Sequence, residues 1–172
     1  MSEVTSNAIT AVNVTIRPYQ DGDAPGILDL ITDVQRNEFD INISLTDQPD
    51  LADIDGFYGH GSSGFWVAVA ADKIVGTIAL LDITQNQTAL RKMFVAPDYR
   101  GKDVGVAEKL LNYLFEQARM SGVQDIYLGT TADIKAAHKL YEDHGFTRYS
   151  KTDLPARFPI LTVDSWFYHK TV

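Results

Sequence analysis

The chain of 172 residues is 45% hydrophobic and 22% charged, with a formal net charge of −8, which is typical of a globular protein with one sizeable core. The acidic excess argues against nucleic acid as a partner, and no apolar run is long enough to span a bilayer. Because the chain has no cysteine and its four histidines lack ligand spacing, we expect no disulfide, no cysteine nucleophile and no metal.

The N-terminal part predicts a tail, a strand and a helix. Residues 1–12 lack the basic start and the apolar stretch of a signal peptide, so we expect a mobile polar tail and, by default, a cytoplasmic protein. A short strand at 14–17 precedes a helix at 21–38, where apolar residues recur at helical spacing. Asp21 or Asp23 is expected to cap this helix.

Acidic residues dominate the segment 37–64, which contains six of them and neither Lys nor Arg. A short helix around residues 50–58 is expected within this otherwise irregular stretch. Long loops in compact domains are commonly functional or mobile. Two interpretations stay open, a solvated loop, which we favour, and a surface that attracts a cationic amine.

The remaining elements predict a mixed α+β sheet with helices on its faces. Strands are expected at 65–71, 74–81, 89–95, 124–129, 147–149 and 165–169, and helices at 104–121 and 132–144. The first of these helices is expected to end at Gly122, and the second at Gly145 in a Schellman motif. Thr130 and Asp133 form a weak capping box before the second helix.

The most informative segment is 93–107, with the sequence MFVAPDYRGKDVGVA. An apolar strand leads into a turn, then into a small-residue loop that carries Arg100 and Lys102, and then into an amphipathic helix. Backbone N–H groups at a helix start, beside two cations, form an anion site suited to a pyrophosphate. The spacing is neither G-x-G-x-x-G nor G-x-x-x-x-G-K-[ST], which points away from NAD and ATP.

The order of elements and two motifs resemble the GNAT superfamily of N-acetyltransferases. Residues 95–105, VAPDYRGKDVG, are similar to the family's pyrophosphate loop R/Q-x-x-G-x-G/A, and residues 136–146, AAHKLYEDHGF, to its helix ending A-x-x-L-Y-E-x-x-G-F. The resemblance covers roughly residues 13–170. It implies a single acetyltransferase domain at 13–172 with a GNAT-like, mixed and mostly antiparallel sheet, helices on both faces and splayed central parallel strands.

The resemblance also implies acetyl-CoA as co-substrate, held in a V-shaped opening between the two parallel strands. Main-chain groups of Met93, Phe94 and Val95 would pair with the pantetheine arm, and the N–H groups of residues 101–106 would hold the pyrophosphate. The loop and the two helices would supply the further cofactor contacts, which are Arg100, Gly101, Lys102, Asp103, Val104, Gly105, Val106, Ala137 and His138.

Two positions depart from the family pattern. Asp103 replaces the first glycine of the loop, which puts a carboxylate near the expected phosphates. In one interpretation, which we favour because Arg100, Lys102 and the helix dipole remain, Asp103 caps a helix starting at Val104 or turns to solvent, and CoA binds. In the other, its side chain occupies the phosphate donors and CoA binding is weak or lost. Ile134 replaces a common asparagine, which removes one polar contact.

Amide formation from a thioester needs a neutral amine, a partner for the oxyanion and a proton for the leaving thiolate. Tyr141 matches the family tyrosine near the CoA sulfur and would be the proton donor, although a packed aromatic with a structural role is an equal alternative. The backbone N–H of Val95 or its neighbour is the expected oxyanion donor. The base stays open among Asp82, Glu38 and water.

The expected function is therefore direct, acetyl-CoA-dependent transfer of an acetyl group to a primary amine of a small molecule or peptide. No nucleic acid and no membrane is expected as a partner, and a cationic acceptor and a homodimer are left open. The alternative, motivated by Asp103, is a catalytically silent acyl-CoA-binding or protein-interaction module.

Overall fold

The computed structural model describes residues 14–39, 48–101, 104–132 and 134–172, with the backbone alone at 38 and 39. The strands are β1 (Thr15–Pro18), β2 (Gly64–Ala70), β3 (Lys73–Asp82), β4 (Gln87–Val95), β5 (Asp125–Thr130), β6 (Thr147–Tyr149) and β7 (Trp166–Thr171). The helices are α1 (Ala24–Phe39), α2 (Pro49–Ala52), α3 (Ile54–Tyr58), α4 (Val106–Met120) and α5 (Lys135–Asp143). Short 3-10 turns lie at Pro97–Tyr99 and Lys151–Asp153.

The strands form one sheet in the described part of the chain, in the order β1-β2-β3-β4-β5-β7-β6. Neighbouring strands are antiparallel except for β4 and β5, which are parallel. This arrangement confirms the expected mixed, mostly antiparallel sheet. The turn between β2 and β3 follows from local sequence, because Ala71 and Asp72 take the positive φ angles of the turns that match strand twist.

Helices cover both faces of the sheet, as expected. On one face, called here the α4 face, α4 buries the residues Val106, Leu110, Leu111, Leu114, Phe115 and Ala118. The opposite face, called the α1 face, is covered by α1–α3 over β2 and β3 and by residues 154–164 over β5 and β7. Each large apolar side chain buried in these layers contributes about 1.5–3 kcal/mol, so hydrophobic packing holds the sheet between them.

The start of α4 differs from the prediction by two residues. The helix begins at Val106 because Gly105 occupies the N-cap position in the left-handed conformation, with φ of 70°, which glycine adopts without steric cost. No side chain of the described residues caps this helix. The predicted helix start at residue 104 is therefore wrong. Asp103 lies outside the described residues, so the role of its side chain stays a prediction.

The start of α5 also differs from the prediction. The helix begins at Lys135, with Ile134 at the N-cap and no side-chain cap from the described residues. The capping box predicted from Thr130 and Asp133 is wrong, since Thr130 ends β5 and does not occupy the N-cap position. Asp133 lies outside the described residues. The C-terminal end follows the prediction, because Gly145 has a positive φ of 93° and the chain reverses there.

Asp23 stands directly before α1, but its carboxylate turns towards β1. Its two oxygens accept hydrogen bonds from the Arg17 guanidinium at 2.7 and 3.0 Å, and one of them also accepts the N–H of Gln20 at 2.9 Å. The expected side-chain cap is thus replaced by an ion pair that fixes the connection between β1 and α1.

Candidate active site

The central parallel pair is short and then opens. β4 and β5 pair at three positions, the last of which joins Ala89 and Tyr127. The residues after this pair, 90–95 on β4 and 128–130 on β5, line a cavity of about 1390 Å³. The V-shaped opening expected between the parallel strands is therefore present, and we call it the split.

A β-bulge lies at the edge of the split. Lys92 has a φ of 55°, and the register between β3 and β4 shifts between Thr77 and Ala79. The Thr77 hydroxyl donates to the Lys92 carbonyl oxygen at 2.7 Å. This bond satisfies a backbone group that the bulge takes out of the ladder.

Beyond the bulge, backbone groups of β4 alternate between β3 and the split. The Ala96 N–H donates to the Val75 carbonyl oxygen at 2.8 Å, and the N–H and C=O of successive strand residues point in opposite directions. The backbone N–H and C=O of Phe94 therefore point to β3, whereas those of Met93 and Val95 point into the split. This orientation argues against pairing of the Phe94 main chain with pantetheine and is compatible with pairing at Met93 and Val95; all three contacts stay predictions.

The loop between β4 and α4 is held by Arg100 and by a backbone turn. The Arg100 Nε donates to the Val95 carbonyl oxygen at 2.9 Å, which ties the loop to the end of β4. The Gly105 N–H donates to the Gly101 carbonyl oxygen at 2.9 Å. Because this N–H is used inside the loop, it is less available to a phosphate than the N–H groups that follow it, and the contact of Gly105 with the cofactor stays a prediction.

The start of α4 carries backbone donors at the cavity. The first helical hydrogen bond joins the Lys109 N–H to the Gly105 carbonyl oxygen at 3.0 Å, so the N–H groups of Val106, Ala107 and Glu108 have no acceptor within the helix. Gly105, Ala107 and Glu108 line the cavity. A helix start of this kind favours a bound anion.

The neighbouring loop predictions have mixed outcomes. Arg100 and Gly101 line the cavity, as expected. The side chain of Val104 is buried in the core of the α4 face and is absent from the described lining of the cavity, so only its backbone could face a phosphate. Lys102 and Asp103 lie outside the described residues, and the two interpretations of Asp103 stay predictions.

Tyr141 lines the cavity from the α4 face. The residue is 6% exposed, and its ring packs against Phe146 and Tyr168 with centroid distances of 5.7 and 6.1 Å. Its hydroxyl has no hydrogen-bond partner among the residues described. Burial raises the pKa of the Tyr141 phenol well above its ordinary value, so the group keeps its proton. A buried hydroxyl without a structural partner favours a functional role.

His138 lies one turn before Tyr141 but faces the core. Its Nε2 donates to the Thr131 carbonyl oxygen at 2.7 Å, and its ring stacks on Trp166 with centroids 4.2 Å and planes 12° apart. In the described lining of the cavity Ala137 is present and His138 is not. These contacts commit the His138 ring to the helix–sheet interface and argue against a side-chain contact with the cofactor, so the His138 contact stays a prediction.

A charged cluster borders the split on the α1 face. Asp50, 2% exposed, accepts a hydrogen bond from the Tyr58 hydroxyl at 2.6 Å. The same carboxylate lies 3.5 Å from the Lys92 Nζ and 3.9 Å from a guanidinium nitrogen of Arg91. Burial lowers the pKa of Lys92, and Asp50 partly offsets this effect. Two cations thus share one carboxylate, and we call Asp50, Arg91 and Lys92 the cation cluster.

Arg91 forms the part of the cation cluster that is nearest an aromatic wall. Its guanidinium carbon lies 5.5 Å from the centroid of the Phe57 ring, and its side chain is 13% exposed. Both residues line the cavity. A partly desolvated guanidinium held over a ring presents its remaining donors in a fixed direction.

Asp164, in the loop before β7, also lines the cavity. Its Oδ2 accepts the Leu161 N–H at 2.9 Å, and the carboxylate rests on Gly129, where a Cβ atom would be 2.6 Å from Oδ2. No residue other than glycine at this position of β5 permits so close an approach. Burial raises the pKa of Asp164, while the charge of Arg91 lowers it less strongly.

Of the candidate bases, Asp82 is committed elsewhere. Its carboxylate accepts the N–H groups of Ser62 and Thr84 at 3.1 and 2.7 Å. Although burial raises its pKa, these bonds lower the pKa of Asp82 below the ordinary value. It is absent from the described lining of the cavity, so it is not placed to act as the base. The side chain of Glu38 lies outside the described residues.

Among the residues that the structure describes, no group of three or more His, Asp or Glu side chains could hold a metal ion. No helix of the described chain is both long and apolar enough to cross a membrane.

The split, the donors at the start of α4 and the element order can be compared with known proteins. The profile of the acetyltransferase (GNAT) family matches residues 28–146. The chain belongs to the GNAT acetyltransferase family. A GNAT-family acetyltransferase from Staphylococcus aureus is 35% identical and superimposes with a TM-score of 0.87, over 92% of this chain and 98% of that one.

Two other GNAT relatives add information. The PaiA N-acetyltransferase of Thermoplasma acidophilum, solved in complex with coenzyme A, is 15% identical and shares the fold, with a TM-score of 0.70 over 92% of this chain and 99% of that one. The N-acetylaspartate synthetase of Danio rerio is 41% identical over 106 residues, which are 60% of this chain and 37% of that protein. The chain therefore spans little more than a third of that relative's length.

Sequence reasoning about this GNAT protein missed the α1-face half of its site. The cation cluster and Asp164 come from three distant segments and meet only in the fold. Two signals were present in the sequence: the adjacent cations Arg91 and Lys92 within an otherwise apolar strand, and Gly129 inside β5, which marks a close approach.

Proposed function

We propose that the chain is an acetyl-CoA-dependent N-acetyltransferase that transfers an acetyl group directly to the primary amine of a small molecule. The observation that carries the proposal is the split, where the open edge of β4 leads to the donor-rich start of α4. A chain of amides that ends in a diphosphate suits this site, because amides pair with a strand edge and phosphates with helix N–H groups. Membership of an acetyltransferase family supports the proposal.

Each part of the site has a role in this reaction. Acetyl-CoA supplies the acetyl group as a thioester. The first turn of α4 holds the diphosphate. Main-chain groups of Met93 hold the pantetheine arm, together with the Val95 carbonyl oxygen, which keeps one lone pair beside its bond from Arg100. The Val95 N–H stabilises the oxyanion, and Tyr141, kept protonated by burial, gives a proton to the departing thiolate. No covalent intermediate on the protein is needed.

We further propose that the acceptor carries a carboxylate beside its amine. The cation cluster has two positive charges and one negative charge, so an anionic group that binds Arg91 would balance it. This supports an anionic rather than a cationic acceptor, since the charge of Asp50, on the acid-rich segment, is already used by Lys92 and Arg91. The name of the N-acetylaspartate synthetase relatives agrees with an amino-acid acceptor.

Two measurements test the proposal. Calorimetric titration with acetyl-CoA measures binding, and thiol release measures turnover with a panel of amines that includes L-aspartate, L-glutamate and, without a carboxylate, putrescine. We expect binding together with a higher kcat/KM for the carboxylate-bearing amines. Binding without turnover on any amine would instead support the catalytically silent module, and absence of binding would overturn the proposal altogether.

The role of Arg91 gives a sharper version of the test. Arg91→Met keeps much of the side chain's length and removes its charge. Loss of a hydrogen bond to a charged group costs about 1.5–3 kcal/mol, so the KM for a carboxylate-bearing amine should rise about 10- to 100-fold. The Kd of acetyl-CoA should not change. An unchanged KM would show that Arg91 does not bind the acceptor.

A further inference from the structure

We infer that Asp164 is the catalytic base of this site, and that its carboxylate takes the proton from the acceptor's ammonium group. The inference rests on the proposed function and names the residue that makes the acceptor nucleophilic. Three features of the structure lead to it: the register of the two split strands, the fixed position of the carboxylate and the charges around it.

The strand register places Asp164 and Arg91 at the same level on the same face. Ala89 and Tyr127 are the last residues to pair across β4 and β5, and both face the core of the α1 face. Because side chains alternate with a period of two, Arg91 and Gly129 continue on that face, one on each side of the opening. Asp164 rests on Gly129 and therefore faces Arg91 across the split.

This placement suits an acceptor with both a carboxylate and an amine. A carboxylate bound at Arg91 would leave the amine directed into the split, beside Asp164. Tyr141 belongs to the opposite, α4 face. The proton donor and the base thus lie on opposite sides of the opening, so the group that protonates the sulfur is kept apart from the group that takes the amine proton.

The carboxylate of Asp164 is held in place by its own loop. Its Oδ2 accepts the Leu161 N–H, and its N–H donates to the Leu161 carbonyl oxygen at 3.0 Å. The next residue, Ser165, donates its N–H to the Thr130 carbonyl oxygen and accepts the Ala132 N–H, both at 2.9 Å. Among the described residues Oδ1 has no hydrogen-bond partner, so it is the oxygen that can accept a proton.

The charges around Asp164 suit a base. Partial burial raises the pKa of its carboxyl, which strengthens it as a proton acceptor, and Arg91 on β4 acts in the opposite direction. Arg91 is the charged group that faces Asp164 in the described site. A base is most effective when its pKa approaches the working pH, and the shift of Asp164 is in that direction.

The proposed step conserves charge and atoms. The ammonium group gives one proton to Asp164, which becomes a neutral carboxylic acid, and the amine lone pair forms the C–N bond at the thioester carbonyl. The C–S bond breaks and the sulfur takes a proton from Tyr141. The amide nitrogen loses its second proton to water, Tyr141 regains a proton from water, and Asp164 releases its proton to solvent, so the net products are the amide, the free thiol and one proton.

Asp164→Asn tests the inference because the amide oxygen can still accept the Leu161 N–H while the base is lost. With L-aspartate as the probe at pH 7, kcat/KM should fall on the order of 10²- to 10³-fold. The ratio of the wild-type kcat/KM to that of the variant should fall about tenfold for each pH unit above 7, because a growing fraction of the amine then binds already deprotonated. Asp153→Asn, an exposed carboxylate in the same β6–β7 connection, is the matched control and should keep the wild-type rate.

The outcomes separate this inference from the proposed function. A wild-type protein without turnover on any amine would overturn both. An active wild type whose Asp164→Asn variant stays within about threefold at pH 7, or loses the same factor at every pH, would overturn the inference alone. Carbon-13 NMR of the protein with its aspartate side chains labelled tests the Asp164 carboxyl without turnover, because the resonance of Asp164 is the one missing from the spectrum of Asp164→Asn. Its pKa should lie above the ordinary aspartate range, and a pKa within or below that range would contradict the assignment.

Discussion

Replacing Tyr141 by Phe should change activity and stability in different directions. The phenol is buried, and no described residue accepts its hydroxyl hydrogen. Removing the oxygen therefore breaks no hydrogen bond to a described residue, and a buried hydroxyl without a partner costs about 1–3 kcal/mol in proteins. The free energy of unfolding should stay unchanged or rise by about 1 kcal/mol. Loss of the proton donor should lower kcat by about 10²-fold, equivalent to about 2.7 kcal/mol.

Tyr168→Phe is the matched control for this prediction. Its ring lies in the same aromatic cluster, but its hydroxyl donates to the Glu142 carboxylate at 2.7 Å. This variant should lose about 1.5 kcal/mol of stability, since the lost bond is to a charged group, and keep its activity. Urea unfolding and steady-state thiol release measure the two quantities. If Tyr141→Phe kept kcat within about threefold of the wild type, Tyr141 would be a packing residue and the assigned role would be wrong.

Two stability predictions follow from ion pairs. Asp50→Ala leaves the buried Lys92 ammonium without its carboxylate, so urea unfolding should show a loss of about 3 kcal/mol; a loss under about 0.5 kcal/mol, the size expected for an exposed substitution, would contradict the buried pairing. The hydrogen bond from Arg17 lowers the pKa of Asp23 below its ordinary value, against the effect of burial. The pair therefore contributes stability above about pH 4 that is lost as the pH falls through the folded-state pKa. Asp23→Asn should be about 1 kcal/mol less stable at pH 7, with a difference that disappears in acid; a difference that persists at pH 2 would contradict this explanation.

The cofactor half of the site could be predicted because it lies in one local segment. In 93–107 the end of a strand, a loop and the start of a helix follow one another, so each residue's position relative to the others is set by local geometry. The exact donors could not be predicted in this way. The bulge at Lys92, which turns the main chain of Phe94 towards β3, depends on the contact with Thr77 outside the segment. The left-handed conformation of Gly105 moves the helix start by two residues, and a glycine in the sequence does not show which conformation it takes.

The acceptor half depends on tertiary structure. Asp50, Arg91 and Asp164 come from α2, β4 and the loop before β7, and a single sequence contains no information on which distant residues meet. The same limit explains why the position of the His138 ring could not be predicted. Helical spacing places it on the same side as Tyr141, but only the position of Trp166 on β7 shows that the imidazole stacks in the core.

The central claim is that the split between β4 and β5 holds the acyl carrier. A crystal structure of the protein with coenzyme A tests this most directly. We expect the pantetheine amides to bond with Met93 and Val95 and the diphosphate to lie on the N–H groups of Val106, Ala107 and Glu108. Coenzyme A bound elsewhere, or a split left empty at saturating ligand concentration, would contradict the account.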